Sequence, residues 1–174
     1  MVLRTDRLTG DQVTCHRRRE RTGATLVDLV ITILIMGILA ATAMPRFASV
    51  VARLRTEAVA RRVVSDLNFA RRSAIQSSRT VVITFAASPA GYSMNGVTHP
   101  AFPAQSYAVS LADVDSTVQL QTFSFNSGPV LTFNAYGRPL VGTNPLTTGS
   151  VVLKNGSHTF TVVVDPATGE SSIP

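Results

Sequence analysis

A long apolar stretch containing a single carboxylate most constrains how this chain can fold. Arginines at positions 17, 18, 19 and 21 precede Gly23, and a nearly unbroken apolar run then extends to Pro45. At about 1.5 Å per helical residue, this run is long enough to cross the roughly 30 Å core of a bilayer. Its one charged residue, Asp28, costs about 2.5–3.5 kcal/mol in such a segment on insertion scales. We therefore expect a membrane helix whose single acid has a specific partner.

Basic residues are concentrated in two segments of this chain, whose formal net charge is +6. Residues 1–23 carry six arginines and three acids, and residues 46–79 carry eight arginines and two acids. Residues 80–174 carry one arginine, one lysine and four acids, so a uniformly basic nucleic-acid-binding domain is not indicated. Because arginines precede the apolar run, the positive-inside rule predicts a cytoplasmic N-terminus and a C-terminal part beyond the membrane. The only cysteine, Cys15, precedes Gly23.

Two interpretations of the apolar stretch follow from the residues alone. A plain membrane anchor explains its length and the preceding arginines, but it does not explain Asp28. A secretory signal peptide cleaved after Ala43 fits the small residues at 41–43, although an acid inside its apolar region is unfavourable. In either case Pro45 removes a helix hydrogen bond and is expected to kink or interrupt the helix.

The stretch also resembles the N-terminus of type IV prepilins and type II secretion pseudopilins. In those families a basic leader ends in glycine and is followed by a motif of the form FTLxEL, an apolar helix and a proline. Here Gly23 ends the leader and residues 24–29 read ATLVDL. Counted from Ala24, Asp28 is the fifth residue and Pro45 the twenty-second, as in the family. Alanine replaces the usual phenylalanine at position 24, and aspartate replaces the usual glutamate at position 28.

This resemblance implies specific roles for the matching residues. A prepilin peptidase would cut between Gly23 and Ala24, and the new amine of Ala24 would be N-methylated. Asp28 would then pair with the Ala24 ammonium of a neighbouring subunit, which offsets the cost of each isolated charge in lipid. The implied partners are other pilins or pseudopilins, the prepilin peptidase/methyltransferase and the bacterial inner membrane.

Residues 46–79 are predicted to continue the helix on the periplasmic side of the membrane. Residues 46–78 contain neither proline nor glycine, and they are rich in alanine, arginine and leucine. We expect ion pairs between Arg53 and Glu57 and between Arg62 and Asp66, which are four residues apart. Most of the arginines are expected to form a solvated helix face. An apolar stripe is predicted to comprise Val50, Leu54, Ala58, Val63 or Val64, Leu67, Ala70 or Arg71, and Ala74.

Residues 80–174 show the short alternating runs of an antiparallel β domain. An Asn155-Gly156 pair between apolar runs predicts a hairpin with a type I′ turn, with Phe160, Val162 and Val164 facing the core. A change of parity near residues 121–122 predicts a β-bulge. Residues 87–116 are expected to form a variable loop region, because prolines and glycines interrupt them at positions 89, 91, 96, 100 and 103.

The predicted fold class is therefore α+β: a long N-terminal helix, half in the membrane and half amphipathic, packed on a C-terminal antiparallel sheet. The predicted divisions are a leader (1–23), a transmembrane helix (24–45), a periplasmic helix (46–79) and a β domain (80–174). Residues 70–75 and 133–139 resemble the general secretion pathway protein H/FimT branch of the pilin-like proteins. Glu170 follows Gly169 where DNA-binding FimT-type members carry arginine, which argues against DNA uptake.

No catalytic or cofactor-binding motif is apparent in the sequence. His16 would leave with the leader, and His99 and His158 have no ligand partners at metal-binding spacing. Asp113 and Asp115 lie two residues apart, but the rest of a calcium-loop pattern is missing, so a solvated loop is expected. The resemblance implies a minor pseudopilin, a structural subunit of a type II secretion pseudopilus and not an enzyme. A FimT-like minor pilin, acting in pilus assembly or DNA uptake, is the alternative.

Overall fold

The structure is a computed structural model that describes residues 25–99 and 102–174, with side chains at all of these except positions 45 and 102–104. It comprises two compact units, which divide between Thr42 and Ala43. The elements in chain order are α1 (Leu26–Ser77), β1 (Val81–Ala87), β2 (Ala90–His99), β3 (Phe102–Ser110), α2 (Leu111–Val114), β4 (Gln119–Phe125), β5 (Val130–Phe133), β6 (Pro139–Val141), β7 (Asn144–Pro145), β8 (Gly149–Asn155), β9 (His158–Val164) and β10 (Ser171–Ser172).

Helix α1 is unbroken over 52 residues and ends in a Schellman motif. The amide of Ser78 donates to the carbonyl of Ile75 (3.3 Å), and the amide of Arg79 donates to the carbonyl of Ala74 (3.2 Å). Ser78 has φ 50°, the left-handed conformation that this motif requires. The sequence predicted that Pro45 would kink or interrupt the helix. Helix α1 is not interrupted there, so the predicted interruption is wrong, whereas the kink stays a prediction.

The strands form two antiparallel sheets, which confirms the predicted α+β class. The first sheet has the order β3-β2-β1-β5-β6-β7, and the second has the order β10-β9-β8-β4. Every strand pairing within these sheets is antiparallel. Connections between neighbouring strands such as β1–β2 and β8–β9 are tight hairpins, as expected of a sheet built mainly from local pairings.

The prediction of a variable loop at residues 87–116 is wrong, because this segment forms β2, β3 and α2. The apparent breakers lie where strands tolerate them. Gly96 has φ +91° within a register shift between Met94 and Thr98, and position 103 is on β3, the edge strand. Burial of alternate side chains stabilises this segment as strands in spite of its prolines and glycines. These side chains are Tyr92, Met94, Tyr107 and Val109.

The second sheet contains the predicted bulge and hairpin, with one correction. Pairing of β4 with β8 shifts register between Leu120 and Thr122, as the change of parity indicated. Asn155 pairs with His158, so the two turn residues are Gly156 and Ser157 and not Asn155 and Gly156. Only Gly156 of these two has a positive φ (59°), which is the pattern of a type II′ turn and not of type I′. As predicted, Val162 and Val164 are fully buried and Phe160 packs against the core.

One face of α1 packs into the core, beginning at Thr56. The residues of this face that are at most 4% exposed are Thr56, Val59, Ala60, Val63, Leu67, Ala70 and Ala74. The second half of the predicted stripe is thus confirmed. Its first half is wrong, since Val50 and Leu54 are 54% and 58% exposed and Ala58 is also exposed. These residues have helical spacing, but they lie on the side of α1 away from the sheets.

Of the two ion pairs predicted along α1, one is replaced by another pair and one is present. Glu57 pairs with Arg61 at 2.6 Å instead of with Arg53. An acid four residues before a base is the favourable order on a helix, and Arg53–Glu57 has the reverse order. The predicted pair of Arg62 and Asp66 is present at 3.9 Å although it also has the reverse order, so orientation alone does not decide which pairs form.

Two glycine turns pack against each other, and the first of them, at Gly137, also lies against Ile75 and Arg71 of α1. Gly137 has φ +75°, and its amide donates to the carbonyl of Asn134 at 2.8 Å. Gly169 has φ +73°, and a Cβ added there would lie 2.6 Å from the carbonyl oxygen of Gly137 and 3.2 Å from Phe133 Cε1. Because backbone and a core ring surround it, Gly169 is required both by its dihedral angle and by close packing.

Replacement of Gly169 by alanine is expected to lower the free energy of unfolding by about 2–4 kcal/mol, the sum of left-handed strain and overpacking. Gly142→Ala is the matched control: it has φ +63°, but a Cβ there would meet nothing within 4 Å. It should cost about 1–2 kcal/mol from the dihedral angle alone. Denaturant unfolding of the full chain in detergent measures both. Equal losses for the two variants would contradict the packing argument.

Candidate assembly site

Helix α1 begins at a threonine cap that determines the position of Asp28. The Asp28 amide donates to Thr25 Oγ1 at 3.3 Å, and the Leu29 amide donates to the Thr25 carbonyl at 3.2 Å. Thr25 is therefore the N-cap, and Asp28 is the third residue of the helix. A carboxylate in the first turn interacts favourably with the positive end of the helix dipole, typically by about 0.3–1 kcal/mol.

The carboxylate of Asp28 is exposed at this helix end. Within residues 25–99 and 102–174, no hydrogen-bond donor or cation contacts it. The predicted cleavage-site residues Gly23 and Ala24 lie outside the described residues, so their roles stay predictions. The predicted pairing of Asp28 with the Ala24 amine of another subunit likewise stays a prediction.

The part of α1 that follows Asp28 presents apolar side chains on all sides. An 18-residue window in α1 has a mean hydropathy of 2.4 and is 0% buried, so by length and composition this helix could cross a membrane. Two hydroxyls on this surface bond back to the helix: Thr32 Oγ1 donates to the Leu29 carbonyl (2.8 Å), and Thr42 Oγ1 donates to the Leu39 carbonyl (2.9 Å). Both polar groups are thus satisfied without water, as an apolar environment requires.

In the second unit, polar side chains fasten α1 to the two sheets. Asn68 Nδ2 donates to the Ser171 carbonyl at 3.1 Å, and the Ser171 amide donates to Asn68 Oδ1 at 3.0 Å. Arg71 Nε donates to the Gly137 carbonyl at 3.3 Å. Sequence reasoning did not identify these contacts. The break in the apolar stripe at Asn68 was the only signal, and it did not indicate a partner 103 residues away.

A buried carboxylate, Asp66, forms a polar cluster with two tyrosines between α1 and the first sheet. Asp66 is 9% exposed and accepts a 2.5 Å hydrogen bond from the Tyr92 hydroxyl. Arg62 Nε lies 3.9 Å from the same carboxylate oxygen. Burial, the negative charge of Asp66 and hydrogen bonding to it raise the pKa of Tyr92 far above its usual value. Burial, followed by hydrogen bonding to Asp66, raises the pKa of Tyr107 to about 12.

The arginines of α1, and Arg79 just after it, lie mainly in solvent, as predicted, with one exception. Arg53, Arg55, Arg61, Arg62, Arg72 and Arg79 are exposed, whereas Arg71 is half-buried by its contact with Gly137. A groove of about 390 Å³ is lined by Ser65, Asn68, Arg71, Arg72 and Glu170. Because Glu170 places a negative charge beside the two arginines, this surface is not a uniformly basic track for a phosphate backbone.

The other candidate residues from the sequence make contacts that belong to the fold and do not form a binding site. Asp113 is exposed in α2. Asp115 accepts hydrogen bonds from the Thr117 hydroxyl (2.5 Å) and amide (2.8 Å), which hold the pKa of Asp115 below its usual value. His99 stacks on Tyr107 with ring centroids 5.2 Å apart. His158 is the first residue of β9, as expected of a strand residue. Among the described residues, no group of three or more His, Cys, Asp or Glu could hold a metal ion.

Comparison with known families identifies the second unit. A family model described as "Type II transport protein GspH" matches residues 59–168, which include most of the buried part of α1 and nearly the whole β domain. A comparison with curated proteins found no match.

Two crystal forms of the type IV minor pilin FimU from Pseudomonas aeruginosa (strain PAO1) are among the similar solved structures. The first is 16% identical with a TM-score of 0.49, and covers 70% of this chain and 90% of FimU. The second is 14% identical with a TM-score of 0.43, and covers 68% of this chain and 91% of FimU.

The Asp66 cluster predicts a loss of stability at high pH. Tyr107 has a raised pKa, so the folded chain keeps its proton where the unfolded chain, near pH 10, has lost it. The resulting stabilisation is complete below about pH 10 and is lost as the pH rises through about 12. Tyr107→Phe should therefore reduce the slope of unfolding free energy against pH across this range.

Denaturant unfolding of the full chain at a series of alkaline pH values measures that slope. Tyr136→Phe is the control, since Tyr136 is 84% exposed on a turn and should leave the slope unchanged. A Tyr107→Phe variant with the slope of the unaltered chain would show that the buried tyrosine does not contribute to it.

Proposed function

The chain belongs to the GspH family, and we propose that it is a minor pseudopilin, a structural subunit of a filament that serves type II secretion. One observation carries this proposal: the domain matched by the family model shares a single helix, α1, with an exposed apolar segment long enough to span a membrane. Such a chain is anchored in the inner membrane and presents its β domain in the periplasm. Its work is assembly with other pilin-like subunits and not catalysis.

Asp28 is the residue we assign to subunit assembly. Its carboxylate is exposed in the first turn, next to an apolar surface, without a partner among the described residues. A charge in this position is stabilised by a cation from a neighbouring chain, and cleavage after Gly23 would create one at Ala24. The ion pair then forms only between assembled subunits, because each charge is unfavourable alone in lipid.

We place the chain in a secretion pseudopilus in preference to a DNA-binding pilus. The family description concerns transport, and Glu170 lines the groove that holds Arg71 and Arg72. Family membership fits the alternative of a FimT-like minor pilin equally well for assembly, since both are filament subunits. The acid in the groove is the feature that disfavours the DNA-uptake role.

Processing at Gly23 is tested by mass spectrometry of the mature chain isolated from membranes of a host with a prepilin peptidase. The expected N-terminal peptide begins with N-methylated Ala24. Gly23→Leu is the control variant and should retain the leader, because a bulky residue replaces the glycine that precedes the cut. A mature chain beginning at Met44 would instead identify a cleaved secretory signal and contradict the proposal.

Replacement of Asp28 by alanine is expected to leave membrane insertion intact, because it removes the one charge of the apolar segment. Co-isolation with partner pilin subunits should fall several-fold, because the ammonium of the neighbouring chain loses its counter-charge. Asp28→Glu keeps the charge and should restore most of the assembly. Equal recovery of partner subunits by the Asp28→Ala and unaltered chains would exclude an assembly role for this residue.

A further inference from the structure

Two exposed arginines follow the apolar run on one face of α1. Arg46 comes directly after Pro45, and Arg53 lies seven residues further along, which brings it to the same side of the helix. Ser49 lies between them on this face, and its hydroxyl donates to the Arg46 carbonyl at 2.9 Å. Because this short side chain bonds back to the helix, it leaves room between the two arginine side chains.

Within residues 25–99 and 102–174, no carboxylate pairs with either of these two arginines. Glu57, which was predicted to pair with Arg53, bonds Arg61 at 2.6 Å instead. Asp115 lies 3.9 Å from the Nε of Arg55. The acids of this region are thus paired with other arginines, and two positive charges remain available to an external anion.

The position of these arginines along α1 corresponds to the headgroup layer of a bilayer. If the apolar run up to Met44 fills the hydrocarbon core, Arg46 lies about 3 Å beyond the core and Arg53 about 13 Å beyond it. The headgroup layer extends about 5–7 Å from the core. Side chains on a helix lean toward its N-terminus, which is here the end with the apolar run, so an extended Arg53 side chain reaches back to this layer.

Exposed apolar side chains beside the arginines are also typical of a membrane interface. Phe47 and Val50 are 71% and 54% exposed. Interfacial helices combine basic side chains, which bind phosphate, with large apolar side chains, which enter the boundary between headgroups and acyl chains. A soluble acidic ligand would account for the arginines but would leave the apolar side chains in water, whereas a phospholipid accounts for both.

Arginines at this end of the apolar run oppose the charge signal that orients the chain. Residues 46–62 carry five arginines, nearly as many as the six in residues 1–23. The positive-inside rule compares basic residues on the two flanks of a membrane helix, so arginines after the run weaken the preference for a cytoplasmic N-terminus. Binding of these arginines to lipid phosphate offsets that cost.

We propose that Arg46 and Arg53 bind the headgroup phosphates of anionic phospholipids at the C-terminal end of the membrane helix. A guanidinium group donates two parallel hydrogen bonds to phosphate oxygens, and the net negative charge of an anionic headgroup favours it over a zwitterionic one. The location of these arginines at a membrane surface rests on the proposed function, which anchors α1 in the membrane. The site gives the unassembled subunit a preference for anionic lipid.

Quenching of a single tryptophan by brominated lipids tests the proposal, because the chain has no tryptophan of its own. Ala43→Trp places the probe three residues before Arg46, on the same face of the helix. The full-length chain is reconstituted in phosphatidylcholine vesicles with increasing fractions of brominated phosphatidylglycerol or brominated phosphatidylcholine. The association constant for the anionic lipid is expected to exceed that for the zwitterionic lipid about five-fold. Combining Arg46→Gln with Arg53→Gln should abolish this preference.

Arg72→Gln combined with Arg79→Gln is the matched control. It removes the same charge from two exposed arginines far along the chain from the apolar run, and it should keep the preference for anionic lipid. Equal quenching by both lipids in the unaltered background would overturn the proposal, as would a preference that survives Arg46→Gln with Arg53→Gln. If that pair of substitutions kept the lipid preference but reduced co-isolation of partner subunits, the arginines would bind protein and not lipid.

The same assay separates this proposal from the proposed function. A tryptophan quenched by neither lipid would contradict membrane anchoring itself, and this proposal with it. A tryptophan quenched equally by both lipids would support anchoring and overturn only the lipid preference. The assay needs neither cleavage nor a filament, so its outcome is independent of the tests of Gly23 and Asp28.

Discussion

Burial of one face of α1 against the sheets is the interaction on which the rest of the second unit depends. Small side chains at Ala60, Ala70 and Ala74 are fully buried there and allow the helix to approach closely, while Leu67 fills the space between them. With its rotation about the axis thus determined, the helix directs its polar residues to particular partners on the strands. The same rotation leaves the apolar residues at 47, 50 and 54 in solvent.

The sequence predicted those features of the fold that depend on interactions between residues close together in the chain. Helical spacing identified Val63 and Leu67 correctly, and alternation identified Val162 correctly, because the period alone separates a buried face from an exposed one. Spacing could not tell that Leu54 would lie on the side of α1 away from the sheets, since which face the sheets cover is decided only in the folded chain. The fold class, the bulge in β4 and the hairpin of β8 and β9 followed from such local patterns.

Predictions failed where the structure of a segment depends on residues that are distant in the sequence. Glycines and prolines at 87–116 indicated a loop, but pairing with β1 and burial of Tyr92 made the segment two long strands. Asp66 looked like half of a surface ion pair, and the tyrosine that buries it is 26 residues away. For the assembly site, the sequence placed Asp28 near the start of the apolar segment, whereas the cation that we propose as its partner belongs to another chain.

The contacts of Asp66, Asn68 and Arg71 have a mechanical consequence. These three residues span about 8 Å along the helix axis, and their partners Tyr92, Ser171 and Gly137 belong to different parts of the β domain. A force along α1 would load these bonds together in shear, so they could not break one after another. The helix is therefore fastened against sliding along its axis, and a pull or push on it would be transmitted to both sheets.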